Sequence, residues 1–327
     1  MKTKQILSIC CCILLLILLI YIHTLSDSEL KLSYRLGPQL SDTSEKSDFK
    51  FAVIGDSHSF STSIKSILLR AKKRGCSFAV HTGDFVDLDS EIEYSYFIHR
   101  VKNYVKDFPL FLVRGNHETM SPDNGFSNEY LKYIPKPAYQ FVYSDCLFAV
   151  LDSSSGELGL KQITDLFLST ENFRKTHPNS PVFAFLHIPP KYEKILEKGL
   201  PDWESMNMIN MLKTNNISCL FSGHYHSYHE LKFGKSFLMV NGCAGGSFYG
   251  PSPEVFYLEI TVGKDGISHE KVFGERDILY ISELKLFLYV LAVKYPYLIS
   301  FIGVLIIIRE IVFLLKSYKN RHPSLFG

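Results

Sequence analysis

Val80-His81-Thr82-Gly83-Asp84-Phe85-Val86-Asp87 begins as a buried strand and ends as a polar loop. The apolar run Phe78-Ala79-Val80 breaks at Gly83, which delivers Asp84 to the strand's carboxyl end. In sheets with helical crossovers, that end is where ligands bind. A single Gly-Asp after a strand is an ordinary turn, so the fold depends on whether this arrangement recurs.

It recurs four times. Upstream, Phe49 to Ile54 reads as a strand ending in Gly55-Asp56-Ser57-His58. Ile64, Ile67, Leu68 and Ala71 follow at helical spacing, which predicts a crossover helix. Downstream, a helix over 91–106 leads to a strand over 109–113 that ends in Arg114-Gly115-Asn116-His117-Glu118. After a short helix over 129–133, a hairpin is expected from 139–143 and 147–151 around Ser144-Asp145-Cys146. A helix over 160–176 then leads to a strand over 182–186 and His187-Ile188-Pro189-Pro190. A helix over 203–213 leads to a strand over 218–221 and Gly223-His224-Tyr225-His226. Three more strands are expected at 228–232, 236–240 and 255–261. The order is α/β, with a strand-rich second half (α+β), and predicts two sheets face to face with helices outside.

The strand ends supply Asp56, His58, Asp84, Asn116, His117, His187, His224 and His226. Each alone is more ordinarily a cap or a hydrogen-bonded filler; their succession at strand termini is not. All carry carboxylate, imidazole or amide groups. Seven suit two five- or six-coordinate ions completed by water, and His117 is left for proton transfer. In an extended chain Asp56 and His58 share a face and can reach one ion. His224 and His226 do the same unless their loop divides them between two ions. Gly55, Gly83, Gly115 and Gly223 permit sharp exits and close backbone approach.

These blocks, GDSH at 55–58, GDFVD at 83–87, GNHE at 115–118, His187 and GHYH at 223–226, resemble the calcineurin-like metallophosphoesterases. The resemblance covers roughly 49–273 and implies a four-layer αββα sandwich with a dinuclear centre. It implies that Asp56, His58 and His226 hold one metal, that Asn116, His187 and His224 hold the other, and that Asp84 bridges them. His117 would steady the phosphoryl oxygens or protonate the leaving group. Asp87 and Glu118 would orient ligand imidazoles or amides. Purple acid phosphatases in this family carry a metal-binding Tyr three residues after the bridging Asp. Here that position is Asp87, and the first block carries His58, which argues against a tyrosinate-iron centre and leaves Mn, Fe(II) or Zn. The chemistry implied is hydrolysis of a phosphoester, mono- or diester, by in-line attack of a metal-bridging hydroxide. A non-catalytic scaffold on this fold would be expected to lose ligands, and this chain keeps every one.

Both flanks of the 327-residue chain are apolar. Lys2 and Lys4 precede an apolar run from Ile6 to Ile22, read as a membrane anchor over 1–25 rather than a cleaved leader, since no small-x-small site follows. A polar linker over 26–47 precedes the domain, expected over 48–275. In the segment 276–327 one span is expected at about 286–308, with Lys316, Lys319 and Arg321 on the cytosolic side. Both termini are then cytosolic and the domain extracytoplasmic. The net charge of +2 gives no reason to expect nucleic acid, and no obligate protein partner is evident. The membrane suggests a membrane-associated or lipid-linked substrate. The loops over 120–137 and 191–203 would line its entrance, with Tyr192, Trp203, Phe248 and Tyr249 as apolar contacts. Cys76, Cys146, Cys219 and Cys243 form no C-x-x-C pair and read as buried thiols.

Overall fold

The computed structural model describes residues 48–58, 63–104, 108–120, 129–134, 136–242, 244–245, 255–274 and 295–319, together with residue 13. Apart from Ile13, the N-terminal anchor lies outside the described residues, as do the linker, Cys243, Phe248 and Tyr249. The chain divides into two units. One, Tyr34–Tyr280, carries both sheets, and the C-terminal helix belongs to the other.

The first half builds β1 (Phe49–Ile54), α1 (Ser63–Lys73), β2 (Phe78–His81), α2 (Glu91–Tyr104) and β3 (Leu110–Leu112). A 3₁₀ turn, His117–Thr119, and the short α3 (Glu129–Tyr133) follow. The second half builds β4 (Tyr139–Tyr143), β5 (Cys146–Val150), α4 (Gly159–Thr176), β6 (Val182–Phe185), α5 (Asp202–Lys213) and β7 (Cys219–Ser222). Four strands close the unit: β8 (Tyr228–Phe233), β9 (Ser236–Asn241), β10 (Phe256–Gly263) and β11 (Gly266–Phe273). One sheet has the order β11-β10-β1-β2-β3 and the other β4-β5-β6-β7-β9-β8. β1, β2 and β3 run parallel, as do β5, β6, β7 and β9. The expected fold class, two mixed sheets flanked by helices, is the one observed.

Side-chain alternation explains the layers. Phe49, Phe51 and Val53 of β1 point into a core shared with Phe148, Phe183, Phe185 and Phe221 of the second sheet. Phe51 meets Phe183 edge-on at 5.2 Å, and Phe111 stacks on Phe141 at 4.1 Å. The alternate residues of the second sheet, including Ala184 and Leu220, face Leu166, Met208 and Leu212 of the outer helices. Because both faces of these strands are covered, they read as continuous apolar runs, and their polar residues appear only past their ends.

The structure corrects the sequence reading in three places. The 139–150 hairpin turns on two residues, Ser144 and Asp145, at φ 46° and 56°, and Cys146 is already in β5. This is the left-handed pair a tight hairpin requires. β11 was not expected; its sequence Gly-Ile-Ser-His-Glu-Lys-Val-Phe is largely polar because it is an edge strand, mostly exposed. The C-terminal helix, α6, spans Pro296–Lys319. Pro296 starts that helix rather than interrupting one, as its fixed φ and missing N–H favour. Among the described residues, the stretch long and apolar enough to cross a membrane is Tyr297–Lys316, which runs past the expected end at 308. Cys76, Cys146 and Cys219 are buried thiols outside any disulfide among the described residues.

Candidate metal centre

The carboxyl ends of β1, β2, β3, β6 and β7 meet at one pole of the sandwich. Asp56 N donates to Gly83 O at 3.1 Å and His58 N to Asp84 O at 2.9 Å, so the first two loops continue the pairing of β1 with β2. His224 N donates to both oxygens of Asp56, at 3.0 and 3.1 Å, which ties the second sheet's last block to the first sheet's first.

The backbone here is unusual. Asp56, His58, Asp84, His224 and His226 all adopt left-handed conformations, with φ from 49° to 74°. A non-glycine residue costs roughly 1–2 kcal/mol in that region, and such strain persists where the surroundings over-determine it. The extended geometry expected for Asp56-x-His58 and His224-x-His226 is therefore not the one used. Each loop coils, and the two histidines of the last block diverge. His224 Nδ1 lies 3.0 Å from Asn116 Oδ1 and 3.3 Å from His187 Nε2. His226 Nε2 lies 3.4 Å from both His58 Nε2 and Asp56 Oδ1.

Two clusters of donor atoms result, with Asp84 between them. His187 Nε2 is 3.2 Å from Asp84 Oδ2 and 2.9 Å from Asn116 Oδ1. His117 Nε2 is 3.9 Å from Asp84 Oδ2. Asp84 belongs to each of three groups whose ligand atoms lie within 4.8 Å of one another: with His58 and His117, with His187 and His224, and with Asp56 and His226. Two ligands about 2.1 Å from a common ion stand roughly 3.0–3.4 Å apart, close to the 2.9–3.4 Å separations among Asp56, His58, Asp84, Asn116, His187, His224 and His226 and shorter than the 3.9 Å between His117 and Asp84.

The charge balance also fits cations. Asp56 and Asp84 are buried, and no described ion pair joins either to a lysine or arginine. Burial pushes the Asp56 carboxyl up to about 7, the response of a buried anion without a full counter-charge. Burial opposes charge on His187 too, but the Asp84 carboxylate raises that imidazole to about 10. Burial lowers His224 to about 4.

The supporting residues fix each donor. His187 Nδ1 donates to Thr82 O at 2.9 Å, leaving Nε2 to face the cluster. Asp87 Oδ1 accepts from His58 Nδ1 at 2.8 Å and does the same for that ring. Glu118 orients no imidazole or amide, contrary to expectation. Its buried carboxylate accepts the backbone N–H groups of Asp84, Gly115, Phe85 and Val86 at 2.6–3.1 Å, clamping the loop that carries Asp84. Among the glycines, Gly83 requires its left-handed φ of 100°, and a Cβ on Gly115 would lie 2.2 Å from Asp84 Oδ1.

Several residues with no visible sequence signal support the centre. Ser153 Oγ accepts the N–H groups of His187 and Ile188 at 3.1 and 2.9 Å. Glu93 Oε2 accepts those of Asp87 and Leu88 at 2.6 and 3.1 Å. Gly242 lies so close to His226 that a Cβ there would stand 2.6 Å from its nitrogen. His81, held neutral by burial with a pKa pushed down to about 3, joins Ser57 Oγ at 2.9 Å. A Glu two residues into a helix or a Ser after a strand is too common to mark any of these. Of the expected entrance, 121–128 and 135 lie outside the described residues. The 191–203 loop adjoins the centre through Tyr225, whose hydroxyl is 2.6 Å from both N and O of Lys198.

Residues 49–228 match the family model of the calcineurin-like phosphoesterases. Among solved structures, the sandwich superposes on a dimetal phosphatase from Danio rerio with a TM-score of 0.55 and 13% identity, over 69% of this chain and 96% of that one. It also superposes on the purple acid phosphatase PPD1 from yellow lupin, with a TM-score of 0.54 and 13% identity, over 69% of this chain and 52% of the other. Among curated protein sequences none matches.

Proposed function

The chain belongs to the calcineurin-like phosphoesterases, and on that premise we propose that it is a hydrolase of phosphoesters, mono- or diesters, dependent on two divalent transition-metal ions. The observation that carries the proposal is the shared position of Asp84 between the two donor clusters. In this reading Asp56, His58 and His226 hold one ion, Asn116, His187 and His224 the other, and Asp84 both. Mn, Fe(II) and Zn all suit mixed oxygen and nitrogen donors. Such a pair supplies Lewis acidity toward phosphoryl oxygens and a water acidic enough to attack phosphorus.

The protein's own groups do the rest. Thr82 O and Asp87 fix the tautomers of His187 and His58. Glu118 holds the Asp84 loop in its strained conformation, so the ligand geometry is set before substrate arrives. His117 is the proton carrier. Its Nδ1 donates to Asp87 O at 2.7 Å, so that as an imidazolium it would present Nε2–H to a phosphoryl oxygen or give that proton to the departing alkoxide. His117 N donates to Asp84 Oδ1 at 3.0 Å, which keeps that ring beside the bridging carboxylate.

For location, α6 is a membrane span beside the expected N-terminal anchor, its C-terminal end is cytosolic, and the catalytic unit acts on the other side on a membrane-associated phosphoester. The test is a screen with full-length protein, stripped by chelator and reloaded with Mn, Fe(II) or Zn. Its substrates are phosphomonoesters, phosphodiesters and pyrophosphates, lipid-linked ones included. Metal-dependent hydrolysis of at least one class, lost in Asp84→Ala, is expected; a folded, metal-loaded protein inert toward all of them contradicts the proposal.

A further inference from the structure

Four large apolar side chains are exposed near the starts of the helices that follow β5 and β6. Trp203 and Met206, one turn apart on α5, are 43% and 59% exposed. Ile195, in the loop between β6 and α5, is 43% exposed, and Leu160 of α4 is 70% exposed. Glu204 draws the two helix starts together, accepting the N–H groups of Leu158 and Gly159 at 2.8 Å each. Single exposed apolar side chains are common and need no explanation. Here four large ones gather at the amino-terminal ends of α4 and α5, and at the loop that precedes α5. That is the pole where β5, β6 and β7 present their carboxyl ends.

The same loop is tied to the centre. Lys198 holds the hydroxyl of Tyr225 with both its N–H and its carbonyl, and Tyr225 stands between His224 and His226. The chain also leaves the sandwich at this pole. β10 pairs antiparallel with both β1 and β11, so β11 runs parallel to β1 and ends at Phe273 beside the carboxyl end of β1. From there residues 275–295 lead to α6, a contour of at most roughly 70 Å.

We propose that Leu160, Ile195, Trp203 and Met206 form a docking surface that rests on the lipid bilayer and holds the rim of the metal centre at the headgroups. This rests on the reading above that α6 spans a membrane. Tryptophan favours the membrane–water boundary, where its ring is buried and its N–H stays hydrated. The loop carries Lys191, Lys194 and Lys198 against Glu193 and Glu197, with Asp202 paired to Lys191 at 2.9 Å. With that near balance the contact is driven by apolar burial rather than by anionic lipid.

Trp203 is the chain's single tryptophan, so its fluorescence reports this surface alone. Full-length protein is reconstituted into phosphatidylcholine vesicles, with or without bromines on the acyl chains, and co-flotation is scored first. The proposal expects Trp203 emission to be quenched by the brominated lipid and shielded from aqueous acrylamide. Ile195→Lys with Met206→Lys should reverse both effects while the protein still co-floats. Three results overturn it. Co-flotation with Trp203 open to acrylamide and untouched by bromine removes the docking surface and leaves the membrane span standing. Shielding from both quenchers assigns the surface to a second copy or another protein. Failure to co-float removes the span and the docking surface together.

Discussion

His58 Nδ1 donates to Asp87 Oδ1 at 2.8 Å, and the backbone carbonyl of the same Asp87 accepts from His117 Nδ1 at 2.7 Å. One residue therefore sets the orientation of an expected ligand through its side chain and of the expected proton carrier through its backbone. Both imidazoles are left with Nε2 facing the centre. The two functions can be separated by mutation, because a side-chain change removes only the first.

Asp87→Ala should weaken metal binding by about 10–100-fold, the usual cost of losing a group that orients a ligand imidazole. Asp87→Asn, whose amide oxygen still accepts from His58 Nδ1, should lose less. Competition with a chromogenic chelator measures both.

His117→Ala should retain the wild-type metal content and lose roughly 10²–10⁴ in hydrolysis rate. The geometry also places His117 within ligand distance of His58 and Asp84, so elemental analysis of the variant decides between the roles. A parallel loss of metal would make His117 a ligand.

Glu118→Ala should be costly in two ways. Four backbone N–H groups lose their acceptor inside the protein, and unpaired buried donors cost about 1–3 kcal/mol each before any rescue by water. The loop carrying Asp84 is released at the same time. Thermal unfolding should drop by several degrees, and metal affinity should fall although Glu118 is no ligand. Unchanged affinity would show that the left-handed conformation of Asp84 survives without its clamp.

Away from the centre, Glu259 makes a pH prediction. Its buried carboxylate accepts from Arg74 Nε at 2.6 Å and Lys50 Nζ at 2.7 Å. Burial opposes its charge, but these partners hold its pKa down to about 2 against an ordinary 4.5. The depressed value means that its contribution to stability is complete above the unfolded pKa and is lost as pH falls from about 4.5 toward 2. Glu259→Gln should cost about 2 kcal/mol at neutral pH and flatten the dependence of stability on pH within that window. Urea unfolding at a series of pH values checks it.

The five blocks were legible because each follows an apolar strand with a side chain of a kind able to bind a metal, and because a strand buried on both faces leaves its polar groups at its ends. The conformation of those blocks was not. Asp and His enter the left-handed region more often than most residues, but that weak preference singles out neither Asp56 nor His226, whose geometry is imposed by tertiary contacts. Thr82 acts through its carbonyl and Gly242 through its missing Cβ, and neither contribution depends on a chemically distinctive side chain. β11 escaped because an exposed edge strand has no apolar run to show. The expected span at about 286–308 runs through Pro296, whereas that proline begins α6.

The central claim is that Asp84 binds two ions at once. Elemental analysis of the full-length protein, purified without chelator, tests it most directly. The account predicts about two transition-metal ions per folded chain, and loss of both in Asp84→Ala, because the shared carboxylate belongs to each site. A well-folded wild-type chain that holds no metal, or an Asp84→Ala variant that keeps both ions, would contradict it.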